Sequence, residues 1–334
     1  NGIKRVLNIL DFYKGLYKVA KRIREKPDII IGSSVHPLTC IAAIKISRRY
    51  KIRNIVEIRD LWPESLVDYG LLKSYGLIAR LLYRLEKWIY VSADDIVFTM
   101  EGGRDYIVDK KWDSSNGGPV ELDKVHYINN GVDLEVFHSN LEQNRITDPD
   151  LDNPSTFKVV YSGSIRKVND LSKLVYAAGV VQEKIENNIM FLIYGDGDQR
   201  EELQRLAIQE GIKNIRFKGK VEKKYIPYIL SKCDLAYNEE GQFDLFEYGS
   251  SSNKLFEYLA AGLPILMISS HKYSIEGRYN CSVTIGDDSP DLMAEAILKA
   301  YQSDLSEYHR NALHAAYEFS YELLTEKLIE IIER

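Results

Sequence analysis

Short runs of apolar residues alternate along this chain with longer stretches whose apolar positions recur every three or four residues. The first series of runs is DIIIGS (28–33), NIVEIRD (54–60), DIVFTM (95–100) and KVHYINN (124–130). A second series follows: FKVVYSG (157–163), IMFLIYG (189–195), IRFKGK (215–220), DLAYN (234–238), PILMIS (264–269) and SVTIG (282–286). Each is nearly all apolar rather than alternating, the pattern of a parallel strand covered on both faces. Helical stretches lie between them, so the pattern predicts α/β architecture with parallel sheets. Between the two series, residues 138–156 (HSNLEQNRITDPDLDNPST) are polar and turn-rich, which predicts a linker. Two doubly wound domains follow from this, and two such domains facing each other would bind ligands in a cleft beyond the carboxyl ends of their strands. The first series is shorter and opens on a helix, and residue 1 is Asn rather than Met, so a strand ahead of residue 1 is expected to be missing.

A length of 334 residues agrees with two domains, and 45% hydrophobic against 28% charged residues describes an ordinary well-cored protein. No apolar run approaches the roughly 20 residues that span a bilayer. The three cysteines, Cys40, Cys233 and Cys281, are isolated, which argues against a disulfide framework or structural zinc. Charge is uneven. Residues 1–90 hold 18 Lys and Arg against 8 Asp and Glu, a net of +10, and the rest of the chain carries −15. The first part is therefore suited to an anionic neighbour (nucleic acid, a membrane face or a phosphate-bearing substrate) or simply has a solvated basic face.

The densest chemistry lies in FEYGSSSNKLFEYLAAGLPI (246–265). Helical spacing begins at the Ser-Asn cluster around Ser252 and Asn253 and stops at Gly262 and Pro264. A helix start leaves backbone N–H groups unpaired, which suits a phosphate. Lys254 would add a full charge there, and Glu257, one turn on, could accept hydrogen bonds from ribose hydroxyls. A capped surface helix with a Lys–Glu ion pair fits the same spacing. A second phosphate candidate is the turn Gly163-Ser164 after a strand, with Arg166 and Lys167 just beyond. Exposed basic loop residues are the plain alternative. Gly195-Asp-Gly follows another strand, but Arg200 stands where a dinucleotide fingerprint needs its third glycine, so no NAD site is expected. In the first half, Arg59, Asp60, Trp62 and Glu64 follow a strand, and His36 ends its neighbour, which are positions where α/β sheets bind ligands. Residues 71–92 mix Leu, Ile, Tyr and Trp with Lys and Arg. They suit a membrane surface, or equally a helix packed on its own sheet with a wet basic face.

With these residues assembled, the chain resembles the retaining glycosyltransferases of family 4, which have the GT-B fold of two Rossmann-like domains. YINNGVDLEVF (127–137) is similar to the signature that closes their first domain, and VVYSGSI, FLIYGDGDQREEL and IRFKGKVEKKYIPYILSKCDLAYN follow in family order. RDLWPESL and SSNKLFEYLAAGLPI look most like the capsule and O-antigen branch that contains N-acetyl-L-fucosamine transferases. The resemblance implies an acceptor domain over 1–140, a nucleotide-sugar domain over 141–318, and a C-terminal helix over 319–334 packing back toward the first domain. It implies diphosphate contacts from Lys254 and from Arg166 or Lys167, a ribose contact from Glu257, and a nucleobase near Gly219, Lys220 and Val221. Glu257 matches the second glutamate of the family's E-x7-E motif. The first would stand at 249, which is glycine here, and Glu247 lies two residues early. Arg59 stands before Asp60 where many members have a histidine.

The expected activity is transfer of a 2-acetamido sugar from a UDP-sugar to a polyprenyl-pyrophosphate-linked acceptor in capsule or O-antigen synthesis. Lys254, Lys167, Arg166 and Asp60 would be the catalytic set. Gly163, Ser164, Gly195, Ser252 and Asn253 would complete the donor site, and His36, Arg59, Trp62 and Glu64 the acceptor side. No metal or other cofactor is implied, since Asp94-Asp95 and Asp287-Asp288 lack ligand spacing. No nucleic-acid partner is expected, and the protein would work in the cytoplasm, peripheral to the inner face of the membrane. Other readings are an epimerase or phosphorylase on the same fold, a UDP-sugar-binding protein without turnover, and a docking module using the basic first part.

Overall fold

The computed structural model describes residues 2–34, 36–185, 188–238, 244–268 and 271–334. They divide into two units, each built on its own parallel sheet.

The first unit takes the described residues of Asn1–Asn129, Phe243–Ser251 and Lys327–Arg334. In chain order it holds α1 (Gly2–Ala20), β1 (Ile29–Ser33), α2 (Pro37–Tyr50), β2 (Arg53–Ile58), α3 (Glu64–Asp68), α4 (Leu77–Ser92), β3 (Asp95–Phe98), α5 (Gly103–Asp109) and β4 (Val125–Tyr127). The strands pair in parallel in the order β1-β2-β3-β4. Alternate residues turn to opposite faces. Val56, Ile58, Ile96 and Phe98 pack with Ile44 of α2, Ile89 of α4 and Tyr106 of α5. Ile55 and Val97 meet Ile331 from the end of the chain on the other face. As an edge strand, β1 departs from the expectation of cover on both faces: Ile31 is 44% exposed. Two distant stretches join this unit. In the 3₁₀ turn Asp244–Tyr248 the Leu245 N–H donates to Asp68 at 2.9 Å, and the Gly102 N–H donates to the Tyr248 carbonyl at 2.8 Å. At the C-terminus, Arg53 donates to the carbonyls of Ile331 (2.7 Å) and Ile332 (3.1 Å) while pairing with Asp95.

The second unit takes the described residues of Asn130–Gln242 and Ser252–Glu326. It runs α6 (Leu134–Gln143), α7 (Pro149–Asp152), β5 (Phe157–Ser162), α8 (Ser172–Lys184), β6 (Ile189–Tyr194), α9 (Arg200–Gln209), β7 (Ile215–Gly219), α10 (Ile226–Leu230), β8 (Leu235–Asn238), α11 (Asn253–Ala260), β9 (Ile265–Ile268), α12 (Ile275–Arg278), β10 (Ser282–Ile285), α13 (Pro290–Tyr301), α14 (Ser306–Glu318) and α15 (Tyr321–Ile332). Its sheet order is β10-β9-β8-β5-β6-β7, again parallel. From β5 the chain works outward to β7, then returns to β8 on the other side. Loops leaving β5 and β8 therefore diverge and open a crevice at the carboxyl ends, the usual ligand position in such sheets. Val159, Phe191, Leu235 and Leu266 of the strands share one core with Leu174, Ala178, Met293 and Ile297 of α8 and α13.

Each of the ten apolar runs overlaps a strand, although Ser269, the last residue of one run, lies outside the described residues. The expected linker does not behave as one. The chain passes from the first unit to the second at Asn129–Asn130, not at residue 140, and residues 138–156 are folded into the second unit. There α6 buries Phe137, and Asp133 caps it by accepting the Val136 N–H at 2.9 Å. Asp148 and Asp150 both accept from Lys218 of β7 at 2.6 Å. The polar composition of this stretch supplies ion pairs rather than a solvated tether. The final helix begins in the second unit, and from Lys327 onward it counts with the first. Cys40, Cys233 and Cys281 are free and buried.

Candidate active site

Three glycines end three neighbouring strands of the second unit. The Gly163 N–H donates to the Tyr194 carbonyl at 2.9 Å, and the Gly195 N–H donates to the Gly219 carbonyl at 2.9 Å. A side chain at Gly195 would place Cβ 1.8 Å from the Gly163 oxygen, and its φ of 144° lies where L-residues are strained. Gly197 is equally pressed, with Ile165 O 2.1 Å from a would-be Cβ. These glycines let the loops after β5 and β6 lie against each other, forming a floor of backbone at the switch point. That is the physical use of the Gly-Asp-Gly sequence, which lacks the dinucleotide fingerprint.

One wall above this floor is the start of α11. Its N-cap is Ser252, in extended conformation and with no side-chain cap bond, so the helix presents its opening amides rather than capping them with its own hydroxyl. Lys254 in the first turn lies 4.8 Å from the Tyr161 ring centroid, and the Tyr161 hydroxyl donates to the Ser164 carbonyl at 2.8 Å. The Lys–Glu ion pair allowed by the spacing is not the one found for Glu257: its carboxylate pairs with Lys223 at 3.2 Å. Tyr258, fully buried, accepts the Ser162 N–H at 2.8 Å and so fixes α11 to the end of β5. Burial holds its hydroxyl well above the ordinary tyrosine pKa, so it stays protonated.

These residues bound a cavity of about 930 Å³ lined by Ser162, Gly163, Ser164, Gly195, Lys220, Val221, Asn253, Lys254 and Glu257, among others. Most of the donor set expected from the sequence thus meets in one place. Gly219 lies beneath as part of the floor. Two residues expected at the diphosphate do not join it. Arg166 and Lys167 are exposed and line a separate cavity of about 600 Å³ with residues of α8 and α9. Glu247 belongs to the first unit. Gly249 has a φ of 94°, a conformation that favours glycine over the glutamate of the E-x7-E pattern. Sequence reasoning missed Tyr161, Tyr258 and Lys223. The only available hint was that Tyr258 sits one helical turn beyond Lys254, next to Glu257.

In the first unit, Asp60 and Trp62 line a cavity of about 20 Å³ with Ser34, Pro37 and Glu86. Asp60 keeps an exposed edge, yet partial desolvation raises its carboxyl above the ordinary range against the pull of Arg59. The Arg59 N–H donates to Ser34 Oγ at 2.9 Å. His36 precedes α2, with its Nδ1 3.4 Å from Thr39 Oγ1, and meets the Phe12 ring edge-on. Glu64 turns elsewhere, accepting from Tyr83 at 2.9 Å and pairing with Lys110. Glu86 is fully buried between Tyr90 and Tyr106, and burial pushes its carboxyl up to about 8. Among the described residues, no three His, Cys, Asp or Glu side chains gather in a way that could hold a metal ion.

Two family models divide most of the chain between them. Glycosyltransferase Family 4 matches residues 2–136, and Glycosyl transferases group 1 matches residues 156–303. Among curated proteins, the chain is 26% identical over 261 residues to WbjE of Pseudomonas aeruginosa, named as a glycosyltransferase; the match covers 77% of this chain and 61% of that protein. It is 23% identical over 274 residues to WcaI of Escherichia coli K12, named for glycosyl transfer in colanic acid biosynthesis, covering 78% of this chain and 62% of that protein. The chain thus spans about six tenths of the length of these relatives. Among solved structures, Anabaena Alr3699/HepE in complex with UDP superposes with a TM-score of 0.68 at 14% identity, over 95% of this chain and 81% of that one. The fold is GT-B, two parallel-sheet α/β units of four and six strands.

Proposed function

We propose that this chain, which matches the Glycosyltransferase Family 4 model in its first part and the Glycosyl transferases group 1 model in its second, transfers a sugar from a nucleoside-diphosphate donor held in the second unit to a hydroxyl acceptor, with retention at the anomeric carbon. The observation that carries the reading is the convergence of glycine turns, the α11 N-terminus, Lys254 and Glu257 on one cavity at the switch point of the six-stranded sheet. Amides and a cation suit a diphosphate, and a half-buried carboxylate suits ribose hydroxyls.

As the bond from the anomeric carbon to the β-phosphate oxygen breaks, negative charge grows on the leaving diphosphate. Lys254 and the helix amides are placed to stabilise it, and prepositioned donors of this kind accelerate a reaction most. The acceptor oxygen bonds to the same face of the anomeric carbon, and its proton passes to the departing phosphate oxygen. No side chain has to act as base.

The finer reading is a UDP donor carrying a 2-acetamido sugar, with a lipid-linked glycan acceptor in surface-polysaccharide synthesis. UDP in the complex of the HepE relative and the biosynthetic name of WcaI support its direction. A second reading, donor binding without transfer, is favoured by glycine at 249 in place of the first motif glutamate.

Replacing Lys254 with Ala is expected to lower transfer about 10²–10³-fold. Glu257→Gln should mainly weaken UDP binding. Both are read by nucleotide release from UDP-sugars with a polyprenyl-pyrophosphate glycan and by calorimetric titration with UDP. Turnover of the Lys254→Ala variant at the wild-type rate would remove the diphosphate role, and UDP binding without turnover would select the second reading.

A further inference from the structure

We infer that the second unit carries a separate binding site for an anionic saccharide, in the groove between α8 and α9 to which Arg166 and Lys167 turn. The loop after β5 divides at Ile165. That residue is buried, its N–H donates to the Asp196 carbonyl at 3.0 Å, and its own carbonyl accepts the Gln199 N–H at 3.1 Å. Ser164, just before this anchor, lines the donor cavity, whereas Arg166 and Lys167, just after it, line the groove. The groove encloses about 600 Å³, a size that suits a small-molecule ligand. Leu171 and Leu203, both buried in the core, and half-buried Leu206 supply its apolar lining, and the Tyr176 ring at the same cavity is 42% exposed. Arg205 of α9 adds a third cation.

The chemistry of the lining selects the ligand. Among the described residues, Arg166, Lys167 and Arg205 are in no ion pair, while the nearby cations Lys173 and Arg200 are held by acids. Of the two carboxylates on the groove, Asp170 accepts from the Ser172 hydroxyl at 2.5 Å and lies 3.6 Å from Lys173. Glu202 is exposed and in no ion pair among the described residues, so three cations face one uncommitted acid. A neutral ligand would leave those cations unanswered. A bare polyanion would be repelled by Glu202 and make no use of the leucines or Tyr176. A nucleoside diphosphate suits a floor of glycine turns such as the donor cavity has, and among the described residues no glycine lines this groove. A sugar bearing a carboxylate or phosphate answers every part. Its charged group pairs with the guanidinium and ammonium groups, and its hydroxyls hydrogen-bond Glu202 and the amides of Gln199 and Gln209. Its C–H face covers the Tyr176 ring, a rigid body with an apolar face. The inference stands apart from the transfer chemistry, because binding is read without donor or acceptor.

The test is calorimetric titration of the purified chain with tetragalacturonate, glucose 6-phosphate, neutral maltotetraose and inorganic phosphate. Wild type is expected to bind one or both of the anionic sugars, and which of them binds tells whether the charged group is a carboxylate or a phosphate. Arg205→Glu should weaken that binding by on the order of tenfold or more. Tyr176→Ala should weaken it several-fold, and in both variants the thermal melt and the UDP titration should stay as in wild type. Failure of both anionic sugars to bind, or binding that neither variant changes, overturns the inference. Maltotetraose or inorganic phosphate binding as tightly as the anionic sugars overturns it too, since the site would then not require both charge and sugar. Loss of UDP affinity in an Arg166→Ala, Lys167→Ala double variant, with no saccharide present, returns that pair to the diphosphate and likewise overturns it.

Discussion

Glycines and one buried acid show most clearly what single side chains contribute. At Gly195 the contact with the Gly163 carbonyl decides the residue, since no larger one leaves room for the two loops to meet. At Gly249 the backbone conformation decides it, since a φ of 94° suits glycine and would strain a glutamate. Glu86 offers a pH signature. Its carboxyl is raised from 4.5 to about 8, chiefly by burial, while bonds from Tyr90 and Tyr106 and the charge of Lys110 pull the other way. The folded chain therefore keeps a proton that the unfolded chain releases. The stabilisation is complete below about 4.5 and is lost as pH rises toward about 8. Thermal or urea unfolding between pH 5 and pH 9 should show stability falling by up to about 1.4 kcal/mol per pH unit from this group. Glu86→Gln should flatten that slope and be relatively more stable at the alkaline end. An unchanged slope in the variant would mean that Glu86 does not carry the titration.

Element by element, the site depends on α11 meeting the end of β5. The helix was legible from Ser252 to Gly262 because its caps and its apolar positions Leu255, Phe256 and Leu259 agree. Its partner was not, because the tie is a single buried hydrogen bond from the Ser162 N–H to the Tyr258 hydroxyl, across 96 residues of chain. Tyr258→Phe leaves that N–H unsatisfied in a dry place, at a cost of about 1–3 kcal/mol. A lower melting temperature and weaker UDP affinity are expected together, measured by calorimetry on one sample. A variant with lower stability but intact affinity would show that Tyr258 supports the core and not the site. The linker expectation failed for a related reason. Asp148 and Asp150 look like solvated turn residues until Lys218, far along the chain, closes on them.

In the whole molecule, the first unit takes stretches from three places in the chain, and the last of these hangs on Arg53. Its guanidinium holds two terminal carbonyls and the Asp95 carboxylate at once. Arg53→Ala should destabilise the first unit by roughly 1–3 kcal/mol and speed amide exchange over residues 327–334, with the six-stranded sheet unaffected. Unchanged exchange there would show that Ile331 and its apolar contacts suffice. Local order along the chain, by itself, determined that the described residues form short apolar strands in two series, with glycine turns after several of them and a helix carrying Lys254 and Glu257. Hydrophobic periodicity, caps and turn chemistry act over a few neighbouring residues, so they can be read without the fold. Only the tertiary structure decided that Lys254 and Glu257 share a cavity with Gly163 and Gly195 while Arg166 and Lys167 face another. The same holds for Glu64, committed to Lys110 and Tyr83, and for Glu247, placed in the first unit. Those outcomes rest on strand order and on contacts between residues distant in the chain, where burial and pairing are set by whichever neighbours the fold brings and no local pattern records them.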